Sequence, residues 1–181
     1  MRKRNGMNRG KCGRAGYGKR AAAAGMMFVM MFAFAACGKT TDSGEAEALS
    51  GSCIDILNEV YAQADLDESM RDAMQYYEMT TIDADMEEYV MGTDEITYTD
   101  SAYSAPMMTS VAYQCVVLRV SEGTDVPKAK QTLLDNANPA KWICVEAESV
   151  AVESIGDVIL YVMGADEDVT AIKDAFLALD E

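Results

Sequence analysis

The chain has 181 residues, with 15 basic and 30 acidic side chains and no histidine. The missing histidine excludes Ser-His-Asp and Cys-His catalytic sites and removes the commonest metal ligand. Eight basic residues lie within positions 1–20, so residues 37–181 keep seven basic against 30 acidic side chains, a net charge of −23. Such acidity argues against a nucleic-acid partner and against electrostatic binding to anionic lipid.

The first 36 residues resemble a bacterial lipoprotein signal peptide. Positions 1–20 are basic without an acid, and the uncharged run Ala21–Ala36 follows. As a helix this run would measure about 24 Å, shorter than the ~30 Å hydrocarbon core of a bilayer, which favours a signal segment over a spanning helix. The junction Phe34-Ala35-Ala36-Cys37-Gly38 resembles a lipobox, with small residues before the cysteine.

This resemblance implies cleavage between Ala36 and Cys37, with Cys37 as the mature N-terminus and the site of lipid attachment. Two acyl chains hold a protein on a bilayer far more firmly than one. The expected localisation is therefore the outer face of the cell membrane, with a lipid anchor. An ordinary secretory signal ending in cysteine, and a retained membrane anchor, are the alternatives. The sequence leaves open whether translation starts at Met1 or Met7.

Three segments follow from composition. Residues 1–36 form the signal peptide, and residues 37–51 are predicted to be a flexible acidic tether because they contain too few apolar side chains to fold. Residues 52–181 are long enough to bury a core and are predicted to form one domain.

The first half of this domain is predicted to begin with helices. Ser52-Cys53-Ile54-Asp55 fits a capping box at a helix start. A second helix is predicted over Glu68–Tyr77. The pattern then changes: Tyr89-Val90-Met91 indicates a short strand, continued by Ile96-Thr97-Tyr98, and Thr99–Pro106 is predicted to be a polar loop.

The second half alternates between strand and helix signals. The run 110–120 is the strongest strand candidate because it is rich in β-branched residues. Thr124 or Asp125 starts a helix with Pro127 in its first turn, which ends near Asn138-Pro139. The remaining predicted elements are strands over 143–152 and 158–163, joined by a turn at 154–157, and a helix over 168–179.

The predicted fold is an α+β two-layer sandwich with the element order α-α-β-β-α-β-β-α. A mostly antiparallel sheet of four or five strands would carry its helices on one face. Val117-Leu118-Arg119-Val120 recurs as Ile159-Leu160-Tyr161-Val162, 42 residues later. A tandem strand-strand-helix repeat and chance similarity both explain this recurrence.

The cysteines give a weak signal. With Cys37 lipidated, the odd number Cys53, Cys115 and Cys144 remains. A Cys115–Cys144 disulfide is the pairing that an exported protein would favour. The more economical interpretation is that all three are small buried apolar residues.

Residues for catalysis, cofactor binding and metal binding are not predicted. Asp83-Ala84-Asp85-Met86-Glu87-Glu88 begins like a calcium loop, but Glu88 stands where the sharp turn needs glycine. The stretch Tyr103–Met108 suggests either an adaptable exposed surface or core packed over the sheet, and the second is favoured. Trp142, the single tryptophan, is predicted to be a core anchor at a strand entrance.

Three further features resemble a known group of proteins. They are Glu87-Glu88-Tyr89-Val90, the strand before Asp125-Val126, and Gly156 ahead of the last strand. With the lipobox, they resemble small uncharacterised lipoproteins of Gram-positive anaerobes that carry a single domain of unknown function, a family that supplies no activity.

The expected function is a non-enzymatic binding or interaction module for an envelope protein or a small ligand, without a cofactor. The alternatives are an envelope hydrolase using paired carboxylates and a small solute-binding accessory protein.

Overall fold

An antiparallel sheet organises the part of the chain that the computed structural model describes, residues 49–180. Its five strands lie in the order β1-β2-β3-β5-β4. The strands are β1 (Tyr77–Thr80), β2 (Tyr98–Pro106), β3 (Gln114–Val120), β4 (Ser149–Ile155) and β5 (Val158–Gly164). The helices are α1 (Cys53–Gln63), α2 (Glu68–Met74), α3 (Glu87–Met91), α4 (Val126–Asn136) and α5 (Asp166–Leu177), which ends in a 3₁₀ turn, Ala178–Asp180. The predicted α+β class with an antiparallel sheet is confirmed.

Helices cover both faces of the sheet, whereas one covered face was predicted. Val117 pairs with Leu160, and both pack into a core with α1, α2 and α5. Val116 pairs with Tyr161, and both pack into a second core with α3 and α4. The physical reason is that β3 and β5 are apolar at successive positions rather than at alternate ones, so both of their faces must be covered.

The starts of two helices follow their predicted caps. The Ser52 hydroxyl accepts a hydrogen bond from the Asp55 backbone N–H at 3.2 Å, and the Asp55 carboxylate accepts one from the Ser52 backbone N–H at 3.1 Å. This reciprocal pair satisfies donors that a helix start leaves free. The Asp125 carboxylate caps α4 in the same way by accepting from the Lys128 N–H at 3.0 Å.

The segment between α2 and β3 departs most from the predictions. The predicted strand Tyr89-Val90-Met91 lies within helix α3, and the whole of the predicted loop Thr99–Pro106 is strand β2. Small polar side chains explain the error, since β2 buries Ser101 and Ser104, a residue type that is typical of loops. The Ser101 hydroxyl accepts a hydrogen bond from the Ile82 N–H at 3.0 Å, which removes the cost of burying it.

The 42-residue recurrence does not correspond to a symmetric repeat. Both copies are a hairpin followed by a helix, β2-β3-α4 and β4-β5-α5. Because β3 and β5 are antiparallel neighbours, a two-fold axis relating the copies would put both helices on one face. Instead α4 and α5 pack on opposite faces, and the aligned residues Val117 and Ile159 belong to different cores.

The N-terminal predictions lie outside the described residues. This applies to the signal peptide, to the cleavage site Ala36/Cys37, to lipid attachment at Cys37 and to all but the last three residues of the tether. Among residues 49–180, no helix has both the length and the hydropathy needed to cross a membrane.

Candidate functional site

A cavity of about 310 Å³ lies where α3, the loop after α4 and strand β5 meet. Tyr89 and Gly92 come from α3 and its end, Asn138 and Lys141 from the loop, and Tyr161 from the sheet. The cavity therefore joins three elements that are far apart in sequence.

The Lys141 ammonium is the central polar group of this cavity. It donates a hydrogen bond to the Tyr89 carbonyl oxygen at 2.8 Å and a second, short one to the Gln114 side-chain oxygen. It lies 4.4 Å from the centre of the Tyr89 ring and 5.4 Å from that of Trp142, within the range of cation–π attraction. Among the residues described, Lys141 makes no salt bridge.

The end of α3 explains why these side chains meet. A helix leaves its last carbonyls without internal partners. Lys141 binds the carbonyl of Tyr89, and the side-chain amide of Gln114 donates to that of Val90 at 2.9 Å. Gly92 ends the helix in the left-handed conformation, with φ 75°. Gln114 is fully buried, so its amide holds Lys141 in place from inside the sheet.

Burial lowers the pKa of Lys141 to about 8. With that pKa the side chain is still roughly nine-tenths protonated at pH 7. A buried charge in a protein is usually paired with an opposite charge or binds a ligand that supplies one. Within salt-bridge distance Lys141 has carbonyl oxygens and ring faces instead of a carboxylate, and Glu88 lines the same cavity without pairing with it, so the arrangement can accept an anion.

The walls of the cavity combine apolar surface with polar side chains, among them Asn138. Tyr161 and Met163 are each 1% exposed, and the Tyr161 hydroxyl contacts the Met163 sulfur at 3.3 Å. The Asn138 side-chain oxygen accepts a hydrogen bond from the Ala140 N–H at 3.1 Å, which orients the amide. The amide nitrogen of Asn138 makes no hydrogen bond within the described part of the chain, so it can donate to a ligand.

Two other cavities lack a half-buried ammonium held by such contacts. One of about 320 Å³ at the start of α4 is lined by Glu95, Glu122, Asp125 and the exposed Lys128, and residues 49–180 hold no group of three or more metal-ligating side chains placed to bind an ion. One of about 450 Å³ lies between α1, α2 and β1. Its guanidinium, from Arg71, already donates to two backbone carbonyls at 2.8 and 2.9 Å.

Carboxylates converge on one of these cavities, the one at the start of α4 that Glu95, Glu122 and Asp125 line. Partial burial, together with the charges of Asp67 and Glu167, raises the pKa of Asp168. Asp168 lines none of the three cavities described. The acid with the raised pKa is therefore not one of the acids that line a cavity.

The structure does not pair Cys115 with Cys144. Cys115 is buried within β3 and Cys144 is exposed in the loop after Trp142, where its φ is 63°, and both are free thiols. Burial raises the pKa of Cys115 to about 12, and burial with the nearby Asp100 charge does the same for Cys53. The interpretation that the cysteines are small buried apolar residues is therefore confirmed for Cys53 and Cys115 and wrong for Cys144.

Two aromatic and Met-rich predictions have different outcomes. Trp142 is 8% exposed and belongs to the second core, so its role as a core anchor is confirmed, although it lies in a loop rather than at a strand entrance. Met107 and Met108 are 79% and 66% exposed, so the expectation that they pack over the sheet is wrong.

Sequence reasoning missed Lys141 and Gln114 as a pair. They lie 27 residues apart, and Tyr89 lies 52 residues before Lys141. The only local signal in the sequence is that Lys141 directly precedes the single tryptophan of an acidic chain. This signal does not show that the lysine is partly buried.

Comparison with known proteins adds no relative: no family model, curated protein or solved structure matches this chain.

Proposed function

We propose that this chain is a lipid-anchored protein of the outer face of the cell membrane that binds a small ligand without transforming it. The basic N-terminus, the short apolar run and the Cys37 junction support the anchor. The proposal includes the resemblance to small lipoproteins of Gram-positive anaerobes that the sequence suggests.

The observation that carries the binding role is the Lys141 ammonium at the edge of a cavity. It is half-buried, it makes no salt bridge to a carboxylate among the described residues, and aromatic rings flank it. A cavity with apolar walls and a few oriented polar groups is the common form of a small-molecule site. Of the roles considered from the sequence, this cavity favours a small solute-binding protein.

The position of the cavity suits a protein attached through its N-terminus. Arg119 donates to the carbonyl oxygens of Leu49 and Gly51 at 2.7 and 3.0 Å, which fixes the start of the domain at one end of β3. Gln114, which holds Lys141, lies at the other end, about 17 Å away at the rise of a β-strand. The start of the described domain and the cavity therefore lie at opposite ends of β3.

Metabolic labelling in a Gram-positive host tests the anchor. The full chain should incorporate radioactive palmitate and fractionate with membranes, and Cys37→Ser should abolish both. Cys144→Ser is the matched control because it removes an exposed thiol that the proposal does not use. An unlabelled wild-type chain, or a Cys37→Ser variant processed and retained like wild type, would contradict the anchor.

Native mass spectrometry of the same membrane-extracted protein tests the binding role. A small molecule that is retained by the wild-type chain and lost from Lys141→Met supports it. A ligand retained equally by both proteins would place binding elsewhere.

A further inference from the structure

We propose that the ligand of the Lys141 cavity is a small organic oxyanion, a carboxylate or a phosphate ester with an apolar body. This inference rests on the proposed binding role and names the chemical class of its ligand. One oxygen of the anion would bind the Lys141 ammonium, and the rest would contact the aromatic and apolar walls.

The hydrogen bonds of Lys141 leave room for such an oxygen. An ammonium has three N–H donors, and two of them are taken by the Tyr89 carbonyl and the Gln114 side chain. Both acceptors are neutral, so the positive charge is solvated but not neutralised. A charge-assisted hydrogen bond to a ligand oxyanion is stronger than one to a neutral acceptor. The third N–H of Lys141 therefore binds an anionic oxygen more strongly than a neutral one.

Asn138 supplies the second donor. Its side-chain oxygen is fixed by the Ala140 N–H, which leaves its amide nitrogen available. Asn136, which also lines the cavity, donates one of its two amide N–H groups to the Thr132 carbonyl at 2.9 Å. The Lys141 ammonium and the Asn138 amide thus form a pair of donors that suits a single carboxylate or phosphate group.

Size and surrounding charge limit the ligand to a small molecule. A cavity of about 310 Å³ lies at the lower end of the range for small-molecule sites. The mature chain carries a large excess of acids, and Glu88 lines the same cavity, so a polyanion would be repelled. A small anion carries few charges and can approach the single ammonium.

The fluorescence of Trp142 gives a direct readout, because it is the single tryptophan and lies beside Lys141. The full chain, purified in detergent at pH 7, is titrated with benzoate, phenyl phosphate, benzyl alcohol and benzylammonium. Benzoate, phenyl phosphate or both should change the emission and saturate, and the neutral and cationic compounds should bind at least tenfold more weakly. The two anions distinguish a carboxylate site from a phosphate site. Equal binding of benzyl alcohol, or no binding of either anion, would overturn the proposal.

Two variants test the role of the lysine. Lys141→Met should weaken anion binding at least tenfold, whereas Lys173→Met removes the same charge from a helix on the opposite face and should leave binding unchanged. If Lys141→Met does not fold, Asn138→Ala takes its place and should weaken the anions but not benzyl alcohol. Unchanged anion binding in the folded variant would overturn the proposal.

The pH dependence of the wild-type chain gives an independent test. Affinity for benzoate should fall as the pH rises through about 8, where Lys141 loses its proton. The other titratable groups that line the cavity are Glu88 and Tyr89 from α3 and Tyr161 from β5, and burial raises the pKa of Tyr161 away from this range. An affinity that stays constant to pH 9.5 would overturn the proposal. Palmitate labelling tests only the lipid anchor, and the titrations test only the class of ligand. A negative result in one experiment therefore leaves the other proposal standing.

Discussion

The Lys141 ammonium contacts Tyr89 twice, through a hydrogen bond of 2.8 Å to its carbonyl oxygen and at 4.4 Å from the centre of its ring. The first contact satisfies a carbonyl at the end of α3, and the second stabilises the charge. Lys141 therefore stays charged without a carboxylate, at a cavity that a small ligand can occupy.

Replacing Lys141 by methionine should change how stability depends on pH. Burial lowers the folded-state pKa from 10.5 to about 8, so between these values the unfolded chain binds the extra proton. Raising the pH across this window therefore stabilises the folded wild-type chain. The free energy of unfolding of wild type, relative to Lys141→Met, should rise from about pH 8 to 10.5 in urea titrations. Taking this difference removes the contributions of tyrosines that titrate in the same range. A difference that does not vary with pH would contradict the depressed pKa.

Replacing Gln114 by glutamate should place a carboxylate against Lys141. The pKa of Lys141 should rise, because a nearby negative charge favours the ammonium, and anion binding should weaken at least tenfold. The variant also loses the amide donor to the Val90 carbonyl, which should lower the free energy of unfolding by about 1–3 kcal/mol. Gln63→Glu adds the same charge on α1 and should leave binding unchanged. Binding of benzoate by Gln114→Glu at wild-type affinity would show that the charge of Lys141 is not what holds the anion.

Replacing Gly92 by alanine should destabilise the protein strongly. Gly92 has a φ of 75°, and an added Cβ would lie 2.2 Å from the Asn136 carbonyl oxygen. Gly123 has a similar φ, 82°, but its added Cβ would meet no atom within 4 Å. Gly123→Ala therefore isolates the backbone strain, about 1–2 kcal/mol, and Gly92→Ala should cost clearly more. Equal losses in denaturant unfolding would show that α3 and the end of α4 are not held together this closely.

Replacing Arg119 by methionine should loosen the start of the domain. The guanidinium donates to Asp157 and to the carbonyl oxygens of Leu49 and Gly51. Because the pair with Asp157 is partly exposed, we expect a loss of about 2 kcal/mol in the free energy of unfolding, most of it from the carbonyl contacts. Asp157→Asn keeps those contacts and should cost less than about 1 kcal/mol. Hydrogen exchange at residues 52–56 should increase in Arg119→Met alone, and equal exchange in both variants would count against this role.

Much of the fold could be predicted because local signals and tertiary packing agree. The capping box at Ser52 and Asp55 marks α1, Asp125 and Pro127 mark α4, and the apolar run of β5 has no competing pattern. Where burial depends on small polar residues, as in β2, the sequence looks like a loop. The same apolar runs that identified β3 and β5 also indicate that both faces of the sheet are covered, a consequence that the two-layer prediction missed.

The candidate site could not be predicted from sequence for a different reason. Lys141, Gln114 and Tyr89 belong to a loop, a strand and a helix, and only the folded chain brings them together. A lysine side chain is usually exposed, so the sequence gives no reason to expect that Lys141 is partly buried. Its position follows from the last carbonyls of α3, which need hydrogen-bond donors from elsewhere in the fold.

The most direct measurement is an NMR titration of the lysine side chains in the full chain, labelled with ¹³C at Cε and compared with Lys141→Met to assign one signal. The signal of Lys141 should titrate near pH 8 in the free protein and shift to higher pH with saturating benzoate, because a bound anion favours the ammonium. A signal that titrates near 10.5 with the exposed lysines, and does not move when benzoate is added, would contradict the claim that Lys141 holds an unneutralised charge for a ligand.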